Sequence, residues 1–184
     1  MRTDGPSEPV GPHPHSRREA EHLRQRLIGT YMPAAIPLSR SDGEPFYLRE
    51  LIGDWIAYYF YPGASTTQSG PESTAADRAQ HQAFLRQHHA LEANSVRPVG
   101  ISSQTPNEQL GTIRDNAISH TMLCDPTLAL AASLHLPTFE SRPNRHYRRL
   151  TLLVHLGTVA WCFYPIDRPQ ANPAQIISWL QLNS

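Results

Sequence analysis

The chain has 184 residues, with Lys+Arg 16 against Asp+Glu 16 and 39% hydrophobic residues. That length suits one domain with a core of its own, and the charge balance excludes a bulk field for nucleic acid or an anionic membrane surface. Its two cysteines, Cys124 and Cys162, are too few for a disulfide framework and fit a reducing compartment. Every cation is Arg, without an Arg-rich stripe. The start, "MRTDGPSEPVGPHPHSRR", has no apolar signal segment, and no run nears the ~18 apolar residues of a membrane span. The expectation is a soluble, cytoplasmic protein.

Residues 1–16 are rich in Pro, Gly, Ser and His and read as a disordered tail before a domain over 17–184. The "HPH" at His13 to His15 lacks a further ligand at metal-binding spacing and reads as solvated. A helix is predicted over Arg17 to Ile28, ended by Gly29. Two short extended pieces follow, Ile36 to Leu38 and Pro45 to Leu48, joined by the turn "SDGE". The run Trp55 to Tyr61 is apolar nearly throughout and reads as a strand buried on both faces. After Pro71 a helix is expected through "ESTAADRAQHQAFLRQHHALEA", its inner face marked by Ala76, Ala79, Ala83, Phe84 and Leu91. "SVRPVGIS" reads as an edge strand or a strand with an edge-facing side, because Pro98 cannot donate to a ladder.

"TPNEQLGTIRDNA" reads as a helix with Thr105 as N-cap and Pro106 in the first turn. "TMLCDP" is a strand and turn, and "DPTLALAASL" a helix capped by Asp125 with Pro in its first turn. "RRLTLLVHLGTVAWCFYPI" is a hairpin turning near Leu156 and Gly157, and "NPAQIISWLQL" a closing amphipathic helix. Strands alternating with helices, then ββα, predict an α/β domain with a thioredoxin-like layout: a central mixed sheet flanked by helices.

In order and spacing these stretches resemble the peroxiredoxins, the alkyl hydroperoxide reductase and thiol-specific antioxidant group. "PLSRSDGEPFYLRELIGDWIAYYFYP", "RPVGIS", "LCDPTLALAASLHL", the hairpin and "IISWLQ" carry the likeness from about Ile36 to Leu180. The family's site has a Pro, a Thr four residues on, a peroxidatic Cys seven on, and often Glu or Gln three beyond that. Pro62, Thr66 and Glu72 fit without a gap, but the Cys position carries Ser69. The family's distant Arg matches Arg149, with Arg148 as the near alternative. One subgroup has a resolving Cys five residues after the first; here that position is Thr74.

The resemblance implies a fold of peroxiredoxin type and reduction of hydrogen peroxide and organic hydroperoxides. It implies no cofactor or metal, a thiol reductant such as a thioredoxin, and a homodimer. In the family a thiolate at a helix N-terminus attacks peroxide and becomes a sulfenic acid, while Thr, Arg and backbone N–H groups hold the leaving oxygen. A serine hydroxyl is far less acidic and needs a base, and it has no sulfenic cycle. The expectation is a family member that does not turn over as a thiol peroxidase. The alternative is a non-catalytic member that binds a peroxide, a small anion or a partner protein through the same pocket. Gly70, Pro71 and a longer spacing from Glu72 to Phe84 favour natural divergence over an engineered Cys-to-Ser change.

Other candidates weigh less. Cys124 precedes the Asp125 cap and is either a relocated redox thiol or a small buried residue; Cys162, between Trp161 and Phe163, reads as packing. His88 and His89 diverge on their helix and read as solvated, and His155 as a turn residue. "SRPNRHYRR" reads as a basic loop. Ser69 lacks the G-x-S-x-G setting of a hydrolase nucleophile.

Overall fold

A computed structural model describes residues 14–51, 53–63, 71–141 and 143–183. The first helix, α1, spans Pro14–Leu27 and stops at Gly29, which takes a left-handed φ of 85. Strands β1 (Pro37–Arg40) and β2 (Pro45–Tyr47) form an antiparallel pair closed by Gly43. Next come β3 (Trp55–Phe60), α2 (Pro71–Arg86) and α3 (His88–Ala93). The single helix expected after Pro71 is therefore two, because Gln87 leaves the helical region (φ -92, ψ 9). Strand β4 (Val96–Ser102), helix α4 (Pro106–Asn116), strand β5 (Thr121–Cys124) and helix α5 (Ala129–Leu134) follow. A short hairpin, β6 (Thr138–Ser141) and β7 (Asn144–Tyr147), precedes the long one, β8 (Leu150–His155) and β9 (Thr158–Phe163), and α6 (Asn172–Asn183) closes the fold.

Seven strands form one mixed sheet in the order β2-β1-β5-β4-β3-β8-β9. The β3–β4 and β4–β5 pairs are parallel and the other pairs antiparallel. Period-two geometry splits β3 between two cores. Ile56, Tyr58 and Phe60 pack with α1 and α5 on one face; Ala57, Tyr59 and Tyr61 pack with Phe84, Leu91, Ile176 and Leu180 on the other. This central sheet flanked by helices is the expected thioredoxin-like arrangement.

Several local expectations meet the structure unevenly. Thr105 caps α4 with a reciprocal box: its hydroxyl accepts from the Glu108 N–H, while the Glu108 carboxylate accepts from the Thr105 N–H. The β8–β9 turn uses left-handed φ at Leu156 (47) and Gly157 (84), the primed geometry that matches strand twist. Strand β4, however, is interior. Its Pro98 is tolerated because pairing with β5 begins only at Val99↔Thr121. Asp125 does cap α5, accepting from the N–H groups of Ala129 (2.8 Å) and Leu130 (2.9 Å). The helix starts three residues later than expected, because a turn through Pro126 and Leu128 (φ 55) intervenes. The basic segment expected as a loop supplies all of β7 and the last residue of β6, Ser141, which pairs with Asn144.

Candidate functional site

The region that the resemblance marks lies where β3 ends, at Pro62 and Gly63, against α2 and the start of β8. Pro62 is buried, and its carbonyl accepts a hydrogen bond from His146 Nδ1 at 3.1 Å. That nitrogen must carry the proton, since a proline carbonyl only accepts. Gly63 takes φ 60, and a Cβ there would stand 2.7 Å from Gln104 Cγ. Only glycine fits so close to β4, and its free N–H then donates to Asp77 Oδ2 at 3.1 Å.

Asp77 is the centre of a buried polar network. Its other oxygen, Oδ1, takes Arg149 Nη2 at 2.6 Å, with both side chains 10% exposed. Arg149 Nη1 donates to Gln80 Oε1 at 2.6 Å. Gln80 Nε2 in turn donates to Asn172 Oδ1 (3.1 Å), which also accepts from the Thr151 hydroxyl (2.8 Å). The chain of contacts ties α2, β8 and α6 together beneath the site. Burial pushes the Asp77 carboxyl up, and the Arg149 guanidinium opposes that shift. Arg149 is thus paired with a carboxylate and held against α2 through one hydrogen bond from each Nη.

Of the other residues singled out by sequence, Thr66 and Ser69 lie outside the described residues. Glu72 falls in the first turn of α2, but its side chain also lies outside them. Arg148, the near alternative to Arg149, places its guanidinium over the Phe139 ring at 5.9 Å. Arg145 pairs with Glu140 at 3.4 Å, so the basic segment is dispersed over a hairpin. His13 lies outside the described residues, and His15 falls in α1 with its side chain outside them. Among the described residues no group of three His, Cys, Asp or Glu is placed to hold a metal ion, and no helix is long and apolar enough to cross a membrane.

The chain's two thiols are both fully buried. Cys124 donates to Gln109 Oε1 at 3.1 Å, and burial pushes its pKa up to about 12. Cys162 is also pushed up to about 12, again by burial. A redox thiol needs the opposite, an accessible group with a lowered pKa. Of the two readings of Cys124, its burial and raised pKa favour packing, and α5 begins only five residues further on. His155 stacks on Trp55 with centroids 4.3 Å apart.

Sequence reasoning missed the polar core of α2. Ala76 and Ala79 are only partly buried, and the inner face runs instead through Asp77, Gln80, His81 and Phe84. The i, i+3, i+4, i+7 spacing was present, but three of its four members are polar and do not register in a hydrophobic pattern. His81 belongs to a second cluster. Tyr59 Oη lies 2.6 Å from His120 Nε2 and 3.1 Å from His81 Nδ1. Gly100 makes room for it: a Cβ there would stand 2.7 Å from Tyr59 Oη.

A sequence profile of the AhpC/TSA family matches residues 28–161. A search of curated protein sequences finds no match. The fold superposes on the crystal structure of the peroxidoxin BcpB from Mycobacterium tuberculosis with a TM-score of 0.70 and 18% identity, covering 85% of this chain and 97% of that one. The bacterioferritin comigratory protein of Xanthomonas campestris, described for its alkyl peroxide reduction activity, gives 0.67 at 17% identity over 85% of this chain and 97% of its own. Reduced Prx3 of Vibrio vulnificus in complex with hydrogen peroxide gives 0.68 at 17% identity, over 84% and 95%. With the profile match covering more than half of its length, the chain belongs to the AhpC/TSA family, that of the peroxiredoxins.

Proposed function

We propose that this chain is a peroxiredoxin-family protein without thiol-peroxidase turnover, which keeps the family pocket as a binding site for a small polar ligand such as a peroxide, or for a partner protein. Two observations support the reading together. By the spacing from Pro62 and Thr66, the resemblance gives Ser69 the position of the family's peroxidatic Cys, and the chain's two cysteines are buried with raised pKa values. The observation that carries it is the Arg149–Asp77–Gln80 contact, which commits the family's guanidinium to α2. Thiol turnover reduces peroxide to water or alcohol while a sulfur gains one oxygen as sulfenic acid. A serine hydroxyl has no equivalent step, so a thiol reductant such as a thioredoxin has no oxidised centre to act on.

The test is intact-mass analysis after stoichiometric hydrogen peroxide, on the parent chain and on Ser69→Cys side by side. The parent is expected to gain oxygen only at the slow rate of a buried thiol, and Ser69→Cys to gain it little faster, because Arg149 is engaged. Rapid oxygen gain by Ser69→Cys alone would mean an intact peroxidase site that lacks only its sulfur, and would overturn the binding reading. Rapid oxidation of the parent, mapped to Cys124 or Cys162, would overturn the loss of turnover itself.

A further inference from the structure

A cleft of about 530 Å³ opens between α2 and α4, beside the family pocket. Its walls include His81, Asp77 and Arg78 from α2, and Glu108, Asp115 and Asn116 from α4. Two of these residues hold buried acceptor or donor atoms that have no hydrogen-bond partner: His81 Nε2 and Asn116 Oδ1. Leaving a polar atom buried and unpaired costs about 1–3 kcal/mol, so two such atoms on one cleft are a specific signature.

The hydrogen bonds around Tyr59 decide what His81 Nε2 is. The phenol has a single proton. The 2.6 Å contact to His120 Nε2 is shorter than an N–H···O bond and of O–H donor length, so the proton goes there rather than to Met122 Sδ at 3.3 Å. Tyr59 Oη then accepts from His81 Nδ1, 3.1 Å away, which must carry its hydrogen. A neutral imidazole with Nδ1 protonated has a bare lone pair on Nε2. Burial keeps the ring neutral, pushing its pKa down to about 3, with His120 and Arg149 adding to the shift. His81 Nε2 is therefore an acceptor, as Asn116 Oδ1 is. Asn116 is fixed in this role because its Nδ2 already donates to the Thr112 carbonyl at 2.9 Å.

Charge points the same way. Asp77 is balanced by Arg149, which leaves Arg78 against Glu108 and Asp115 on the cleft wall. Glu108 accepts hydrogen bonds from Thr105 at the α4 cap. Two buried acceptors under a net negative wall call for a ligand that donates N–H groups and carries positive charge.

We propose that the α2–α4 cleft is a binding site for a small organic cation of the guanidinium or primary-amine class. His81 Nε2 and Asn116 Oδ1 accept from its N–H groups, and Asp115 supplies charge at the mouth. The site does not use Ser69 or Arg149 as a ligand, so it stands or falls apart from the reading of the family pocket.

The experiment is titration of the full chain, labelled with 15N, with methylguanidinium chloride, and in parallel with sodium acetate. Saturable shifts at the His81 ring nitrogen and the Asn116 side chain are expected with a Kd on the order of millimolar, given so small a ligand. His81→Phe should abolish them. Asp115→Asn, at an exposed position that does not threaten folding, should weaken binding about 2- to 5-fold. The proposal is overturned by the absence of saturable shifts at these two residues. It is overturned equally if acetate binds as well as methylguanidinium, which would make Arg78 the anchor of an anion site. Unmoved signals at both residues together with a slowly exchanging bound water would leave only a buried water in the cleft, and that too ends the proposal.

Discussion

The family pocket and the α2–α4 cleft share helix α2 but differ in how far their polar groups pair with one another. At the pocket the members of the Arg149–Asp77–Gln80–Asn172–Thr151 chain bond one another, and of their side-chain atoms Asn172 Nδ2 alone is buried and unpaired. At the cleft His81 Nε2 and Asn116 Oδ1 are left over. A closed network rigidifies and holds elements in register, whereas an unfinished one leaves room for something else. The comparison teaches that the bonded network beneath the family pocket holds α2, β8 and α6 in place, while the cleft beside it carries acceptors that no protein group uses.

The harshest way to break the comparison is to open the closed network. Asp77→Ala strands a buried guanidinium and the Gly63 N–H, and should cost about 3–5 kcal/mol in urea unfolding. A loss below about 1 kcal/mol would place the pair among ordinary surface bridges.

Acid separates the two regions without mutation. His81 is pushed from 6.5 down to about 3 and His120 from 6.5 down to about 4, both by burial first. Folded pKa values below the unfolded ones mean that stability is fully present above pH 6.5 and drains as the unfolded chain takes up protons that the folded one refuses. Unfolding free energies should fall by about 2 kcal/mol between about pH 6.5 and 5.5 from these two groups, and His120→Gln should remove about half of that dependence. Asp77 acts in the opposite sense. Its raised pKa means that protonation at low pH relieves a burial penalty rather than adding one.

Two smaller perturbations sharpen the picture. Gly100→Ala drives a methyl into Tyr59 and should cost about 1–3 kcal/mol while shifting the His81 and His120 ring signals together. If the stability drops with those signals unmoved, the Tyr59 bridge is not what links the two rings. Thr105→Ala removes the α4 cap and should cost about 1 kcal/mol, with faster amide exchange confined to the first turn of the cleft wall.

Much of the fold could be read locally, because its signals are local. Thr105, Pro106 and Glu108 write a helix start within four residues, and Leu156–Gly157 a primed turn within two. The apolar run from Trp55 declares a strand buried on both faces, and the order of such pieces is enough for a thioredoxin-like sheet. The spacing of Pro62, Thr66, Ser69 and Glu72 and the position of Arg149 pointed to the family, and the absence of sulfur at position 69 is a fact of sequence alone. What is legible in this way depends on residues a few positions apart.

Only the tertiary structure decided the partners of these residues. Arg149 meets Asp77 across 72 positions, and Tyr59 meets His120 across 61. No periodicity encodes such distances, and three polar residues on one helix face look solvated until a sheet is packed over them. Pro98 shows the same limit in reverse. It argues for an edge, yet β4 is interior because its neighbour begins one residue later. Capping, turns and burial patterns follow from chain-local sterics and hydrophobicity. The pairing of buried charges and the hydrogen bonds left unmade depend on which distant backbones the packed core brings within about 3 Å of one another.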